Sequence, residues 1–295
     1  MVYFRGMQQQ VLPFSLRMSA FVLSMLGKPF PGLTARVFYS MYSTPPKRKL
    51  RSTQLAVKDT ALVEQVTCSR YPFDERPLRL TLYRWGSSGK KVWLLHGWGG
   101  SPFDFRHMIH ALVAAGYEVI AFDAPAHGAS QGKKTNLVQW MHVLEQLLQR
   151  SGEVHGVIGH SLGGLNAALT LVHKPVQVPR LVMVSAAVSA PVFFNETFRQ
   201  FRIPQQVMPR VQQLITEKLR DNLQELDLFR HIGRIKAGRI LMAYDENDHL
   251  VKQEQINTFL QQYPSIQSLK IKGEGHFRIM RNEAVISRVL AFLEQ

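Results

Sequence analysis

The sequence predicts an α/β protein built on a mostly parallel sheet with helices on both faces. Two observations carry that expectation. Short, continuous apolar runs recur at residues 92–95, 119–122, 157–158, 181–184, 240–243 and 268–271. Longer stretches with helical periodicity lie between most of them, near residues 103–115, 136–150, 162–173, 252–262 and 279–294. A strand that is apolar throughout is buried on both faces, the condition of a parallel sheet covered by crossover helices. With 295 residues, 45% of them hydrophobic, the chain has material for one large domain with a substantial core.

The N-terminal part is set apart by charge. Residues 1–58 hold nine Lys or Arg and no Asp or Glu, so most of the net charge of +15 belongs to them. The densest part is Lys47-Arg48-Lys49 with Arg51. Such a segment suits an anionic membrane surface or nucleic acid. No nucleic-acid recognition motif accompanies the charge, so of these two partners nucleic acid is the weaker; an ordinary solvated basic surface is the alternative to both. Residues 11–26 are apolar, but they contain Pro13 and Arg17 and fall short of the ~20 residues a spanning helix needs. No small-residue cleavage site follows, so a secretory signal is not expected. The Arg and Ser content without acids is similar to that of a transit peptide. Alternatively, Phe21, Val22, Met25 and Leu26 share one helical face, which suits docking on the domain or lying in a lipid interface. Residues 44–51 (TPPKRKLR) read as a linker. The expected organisation is therefore a basic extension over 1–58, an amphipathic helix plus linker, followed by a domain over 59–295.

Residues 78–85 alternate as a half-buried antiparallel strand does, and 86–89 form a turn. The rhythm breaks only after residue 188, where about fifty residues lack a core strand but carry Phe193, Phe194, Phe198, Phe201, Leu219 and Leu226. A structureless loop of that length is improbable in a compact domain. Residues 190–236 are expected to be helical and to form a lid over one end of the sheet. The single cysteine, Cys68, excludes an intrachain disulfide and fits a reducing, cytoplasmic compartment. His107 and His110 could share a helix face but have no evident third partner, so neither a metal nor a cofactor is expected.

The chemistry centres on GHSLGG, residues 159–164, which lies between an apolar run and a helical stretch. A strand-to-helix turn is the context in which a G-x-S-x-G serine projects from a sheet edge. Gly159 and Gly163 are expected to avoid collisions across that turn. A serine needs a positioned base, and His276, in GEGHF past the last apolar run, is the best placed of eleven histidines. The imidazole needs a carboxylate to fix its tautomer. In YDENDHLV, residues 244–251, Asp245 and Asp248 compete; Asp248 is favoured, and Asp245 is expected to shape the loop. HGWGG, residues 96–100, follows the run at 92–95, and the backbone N–H groups of Trp98 and Leu162 are the expected oxyanion donors. His96 and Gly97 are carried as structural neighbours of that site.

HGWGG, DAPAHGAS (residues 123–130), GHSLGG, DHLV (residues 248–251) and GEGHF, in this order, resemble the α/β-hydrolase fold superfamily from about Arg79 onward. The resemblance implies an eight-stranded, mostly parallel sheet with a helical cap inserted after the sixth strand. It implies Ser161 as nucleophile, His276 as base and Asp248 as third member, with Asp123 and His127 organising loops. Serine at the nucleophile position separates the chain from dehalogenases and epoxide hydrolases of the family, which use aspartate. The leading expectation is a carboxylesterase-like hydrolase acting on an apolar substrate. A thioesterase or C–C bond hydrolase would use the same three residues. A non-catalytic binding protein retaining the fold is the alternative of another class.

Overall fold

The computed structural model describes residues 14–74, 76–87, 89–220, 222–231 and 233–295. Three helices, α1 (Phe14–Leu26), α2 (Pro31–Tyr42) and α3 (Ser52–Asp59), precede the strands β1 (Leu62–Ser69), β2 (Pro77–Trp85) and β3 (Lys91–Leu95). Then α4 (Arg106–Ala114), β4 (Glu118–Phe122), α5 (Leu137–Arg150), β5 (Gly156–His160), α6 (Leu162–His173) and β6 (Val178–Val184) alternate. Two helices, α7 (Ala190–Gln200) and α8 (Met208–Leu219), separate β6 from β7 (Ala237–Asp245). The chain ends with α9 (Gln253–Gln262), β8 (Gln267–Ile271), the short α10 (Gly275–Arg278) and α11 (Glu283–Glu294).

All eight strands form one sheet in the order β1-β2-β4-β3-β5-β6-β7-β8. Pairing is antiparallel for β1–β2 and β2–β4 and parallel elsewhere. The central strands are buried on both faces, and alternate side chains feed two cores. Trp93 and Leu95 of β3 join the core of α5 and α6, whereas Val92 and Leu94 join that of α4 and α11. Sequence periodicity missed β1. It is an edge strand with Leu62 and Val63 exposed and Glu64, Gln65 and Thr67 breaking any apolar run.

This topology fixes where a site can form. From β3 the chain turns back through α4 to β4 on one side, while β5 lies on the other side of β3 and leads into α6. The helices that follow β3 and β5 pack in opposite cores. A crevice opens where adjacent strands send their connections to opposite faces, beyond their carboxyl ends. HGWGG and the Ser161 turn lie there.

The N-terminal region departs from its expected layout. Residues 1–13 of the expected extension lie outside the described residues. From α2 onward the segment is part of the packed body: Ala35 and Phe38 are buried, and the Phe38 ring lies 5.9, 5.5 and 5.8 Å from those of Phe194, Phe198 and Phe201. The supposed boundary at residue 58 falls inside α3. The face of α1 expected to dock is the exposed one, with Phe21, Val22 and Met25 open to solvent and Ala20 and Leu23 buried. Close approach explains the choice. A Cβ on Gly27, just past α1, would lie 2.5 Å from Pro204 Cδ, so the end of the helix seats against the body at a glycine that any side chain would hold away. No helix among the described residues is long and apolar enough to cross a membrane.

Candidate active site

Ser161 ends β5 and begins α6 in a conformation that serine rarely adopts, with φ 54° and ψ −123°. Strain of this kind costs on the order of 1–3 kcal/mol and persists only where the surroundings impose it. Here they do. The Ser161 N–H donates to the Val184 carbonyl of β6 at 3.0 Å. A Cβ on Gly159 would lie 2.5 Å from the Gly164 nitrogen, so this glycine allows the chain to fold back on itself. Gly163 has a different reason from the one expected. Its absent side chain makes room for β3, since a Cβ there would lie 2.3 Å from the Leu95 carbonyl and 2.5 Å from that of His96. It is an inter-element contact rather than a clash within the turn.

The structure brings Ser161 of the β5–α6 turn, Asp248 of the loop after β7 and His276 of the short α10 together. His276 Nε2 lies 2.9 Å from Ser161 Oγ, and His276 Nδ1 lies 2.8 Å from Asp248 Oδ2. The other oxygen, Asp248 Oδ1, accepts the N–H groups of Leu250 (2.8 Å) and Val251 (2.9 Å). Burial alone would raise the Asp248 pKa. The hydrogen bond and charge of His276, with the two N–H groups, outweigh it and hold the carboxyl below its usual range. Asp245 does not reach the imidazole. Its oxygens accept the N–H groups of Asn247 (2.6 Å) and Glu274 (2.8 Å), tying the Asp248 loop to the segment that presents His276.

The loop after β3 closes the other side. A Cβ on Gly97 would lie 2.9 Å from Ser161 Cβ, so only glycine allows this approach. The N–H of Trp98, the next residue, has no acceptor among the described residues. The N–H of Leu162 opens α6 and has no partner within that helix. Two neutral histidines brace the loop. His96 Nδ1 donates to the Gly97 carbonyl (2.7 Å) while its Nε2 accepts the Ala124 N–H (3.0 Å). His127 Nδ1 donates to the Pro125 carbonyl (3.0 Å) while its Nε2 accepts the Gly99 N–H (2.9 Å). Burial depresses their pKa values, to about 4 for His96 and about 3 for His127, so both nitrogens keep these roles at neutral pH. Asp123 accepts from Tyr83 Oη and the Ala129 N–H, both at 2.9 Å. Burial pushes its pKa up.

Sequence reasoning overlooked two contributors. His160, just before the serine, is buried and its pKa is pushed down to about 4 by burial. Its Nε2 donates to the His276 carbonyl at 2.8 Å, fixing the backbone that carries the base. A buried histidine inside GHSLGG was the available signal. The second is α2. It supplies Tyr39 and Tyr42 to a cavity of about 160 Å³ whose wall also includes Trp98, Leu162, Phe193 and Leu219. No charged side chain lines this cavity among the described residues. The i, i+3 spacing of Tyr39 and Tyr42 beside buried Phe38 was a legible aromatic stripe. No cluster of three or more His, Cys, Asp or Glu able to hold a metal occurs among the described residues.

Comparison with known proteins agrees with the fold. A family model described as "alpha/beta hydrolase fold" matches residues 91–208. The chain is 31% identical over 137 residues to the dihydrolipoyllysine-residue acetyltransferase component of the acetoin cleaving system of Cupriavidus necator, covering 45% of this chain and 35% of that protein. The chain thus matches about a third of that relative's length. It is 25% identical to 2-hydroxy-6-oxononadienedioate/2-hydroxy-6-oxononatrienedioate hydrolase 1 of Dechloromonas aromatica, over 69% of this chain and 74% of that one. Among solved structures, the esterase Pf2001 of Pyrococcus furiosus superposes with a TM-score of 0.64 at 23% identity, covering 85% of this chain and 98% of its own. That likeness concerns the fold.

Proposed function

Because the chain belongs to the α/β-hydrolase superfamily, we propose that it is a serine hydrolase cleaving a carboxylic ester with an apolar acyl or aryl group. The observation that carries the reading is the unbroken line from Asp248 Oδ2 through His276 to Ser161 Oγ, with contacts of 2.8 and 2.9 Å. Both contacts are within hydrogen-bond reach for proton transfer.

In this reading His276 Nε2 takes the Ser161 proton as Oγ forms a bond to the ester carbonyl carbon. Negative charge gathers on the carbonyl oxygen, and the N–H groups of Trp98 and Leu162 receive it. Each such donor contributes about 100- to 1000-fold in rate. The tetrahedral adduct collapses, the alcohol leaves with the proton from His276, and an acyl group remains on Ser161. Water then gives its proton to His276 and attacks the acyl carbon. The acid departs and Ser161 recovers its proton. Asp248 stabilises the imidazolium in both halves.

The cavity supports the substrate class. It adjoins Leu162, has mainly apolar walls, and at about 160 Å³ is about the size of the ~150 Å³ apolar cavity known to admit benzene. The Dechloromonas relative is, by name, a hydrolase of a dioate. A doubly charged substrate of that kind needs cationic partners, and this cavity lacks them, so an uncharged ester fits better than a diacid. The test is labelling by a fluorophosphonate with peptide mapping. The wild-type adduct is expected on Ser161, with none in Ser161→Ala. Equal labelling of both proteins, or of neither, refutes the reading and favours a binding protein on a retained fold. A panel of short-chain ester, acyl thioester and vinylogous diketone separates the acyl-transfer readings from the C–C one.

A further inference from the structure

We propose that the exposed apolar rows of α1 and α2 form a docking surface for an anionic lipid bilayer. Thirteen large hydrophobic residues are exposed among the described residues, and seven of them lie between residues 18 and 37. Met18, Phe21, Val22 and Met25 repeat along one face of α1 at the i, i+3, i+4, i+7 spacing of an interfacial helix. Phe30, Leu33 and Val37 continue the exposure onto α2. The packing makes this a surface feature rather than a misplaced core. Ala20, Leu23, Ala35 and Phe38, on other sides of the same helices, are already buried. Soluble surfaces seldom gather this much apolar area without a partner for it.

Charge identifies the partner. Lys28 and Arg36 are exposed among the apolar residues, and residues 1–58 carry nine basic and no acidic side chains. Gly27 abuts Pro204, and the exposed Arg202 lies two residues before that proline, so the cap adds a cation beside the α1–α2 turn. Apolar side chains that enter the headgroup boundary, ringed by cations that meet anionic headgroups, fit a bilayer surface. A second protein copy would present the same positive charge and be repelled. No helix among the described residues is long and apolar enough to span a bilayer, so the contact is drawn parallel to the surface. Resting on the esterase reading, docking acquires a purpose: α2 also supplies Tyr39 and Tyr42 to the substrate cavity, which would let a membrane-dissolved ester pass from lipid to Ser161.

The full chain is sedimented with vesicles of equal phosphatidylglycerol and phosphatidylcholine, and with phosphatidylcholine alone. Wild type is expected to bind the anionic vesicles at least tenfold more tightly, and more weakly in ~0.5 M salt. Phe21→Glu with Met25→Glu, and separately Lys28→Glu with Arg36→Glu, should each lower binding at least tenfold. Circular dichroism melts should leave both variants folded, and fluorophosphonate labelling in vesicle-free buffer should be unchanged. Loss of labelling in wild type would fault the esterase reading while leaving the docking result intact. Absence of wild-type binding to anionic vesicles, equal binding to neutral ones, or full binding by the folded variants overturns the proposal. So does a wild-type dimer that the Phe21/Met25 variant converts to monomer, because a second copy would then be the occupant.

Discussion

Replacing Asp248 by Asn tests the site at its most constrained atom. Asp248 Oδ1 accepts two N–H groups, from Leu250 and Val251, and Oδ2 faces His276 Nδ1 at 2.8 Å. An asparagine must keep its carbonyl oxygen on the two N–H groups. The opposite orientation would leave both without an acceptor, at about 1–3 kcal/mol each. Its NH2 is therefore set opposite His276 Nδ1 and donates to it. The imidazole must then carry its proton on Nε2, the atom 2.9 Å from Ser161 Oγ, and it loses the ability to accept the serine proton. A triad trapped in the wrong tautomer loses about 10⁴-fold in kcat. The assay is hydrolysis of p-nitrophenyl acetate, supported by the rate of fluorophosphonate labelling, with KM expected to stay within about threefold of wild type because no substrate contact is removed. Asp245→Asn is the control. Asp245 binds two N–H groups and no imidazole, so its variant should lose stability yet keep kcat within about tenfold. Asp248→Asn activity within tenfold of wild type would refute the tautomer argument.

Backbone strain at Ser161 predicts that Ser161→Gly and Ser161→Ala are both inactive but that the glycine variant is the more stable by about 1 kcal/mol, measured by urea denaturation, since φ 54° suits glycine. Equal stability would mean that the turn is not strained. Gly163→Ala places a methyl 2.3 Å from the Leu95 carbonyl and should cost about 3 kcal/mol or more, read as a lower denaturation midpoint; wild-type stability would refute the close packing of β3 on α6. Three buried histidines, His96, His127 and His160, have folded pKa values depressed to about 4, about 3 and about 4. In the unfolded chain they titrate near ~6.5. As pH falls from ~6.5 toward ~4 the unfolded chain gains protons that the folded one refuses, so each histidine lowers stability by about 1.4 kcal/mol per pH unit in that window. Tm should drop steeply across it, and a flat Tm from ~6.5 to ~5 would refute the neutral assignments.

Motif spacing made the candidate site of this chain legible before any fold was known. Ser161, Asp248 and His276 each follow a recognisable apolar run, and a strand's carboxyl end is the only place where such loops can converge. The parallel core was equally readable, because strands buried on both faces cannot hide their apolar character. Other features needed the tertiary structure. β1 is an edge strand, so half of its residues face water and no run survives. His160 and Asp245 stand in legible motifs, but their bonds to the backbone around His276, 116 and 29 positions away, are set by the fold alone. The N-terminal helices show the limit most clearly. Periodicity located an apolar stripe on α1, with Phe21, Val22 and Met25 along it, but not which side would be covered. The close approach of Gly27 to Pro204, with Ala20 and Leu23 turned inward, settled that, because packing selects the face that can approach closely rather than the one richest in hydrophobic side chains.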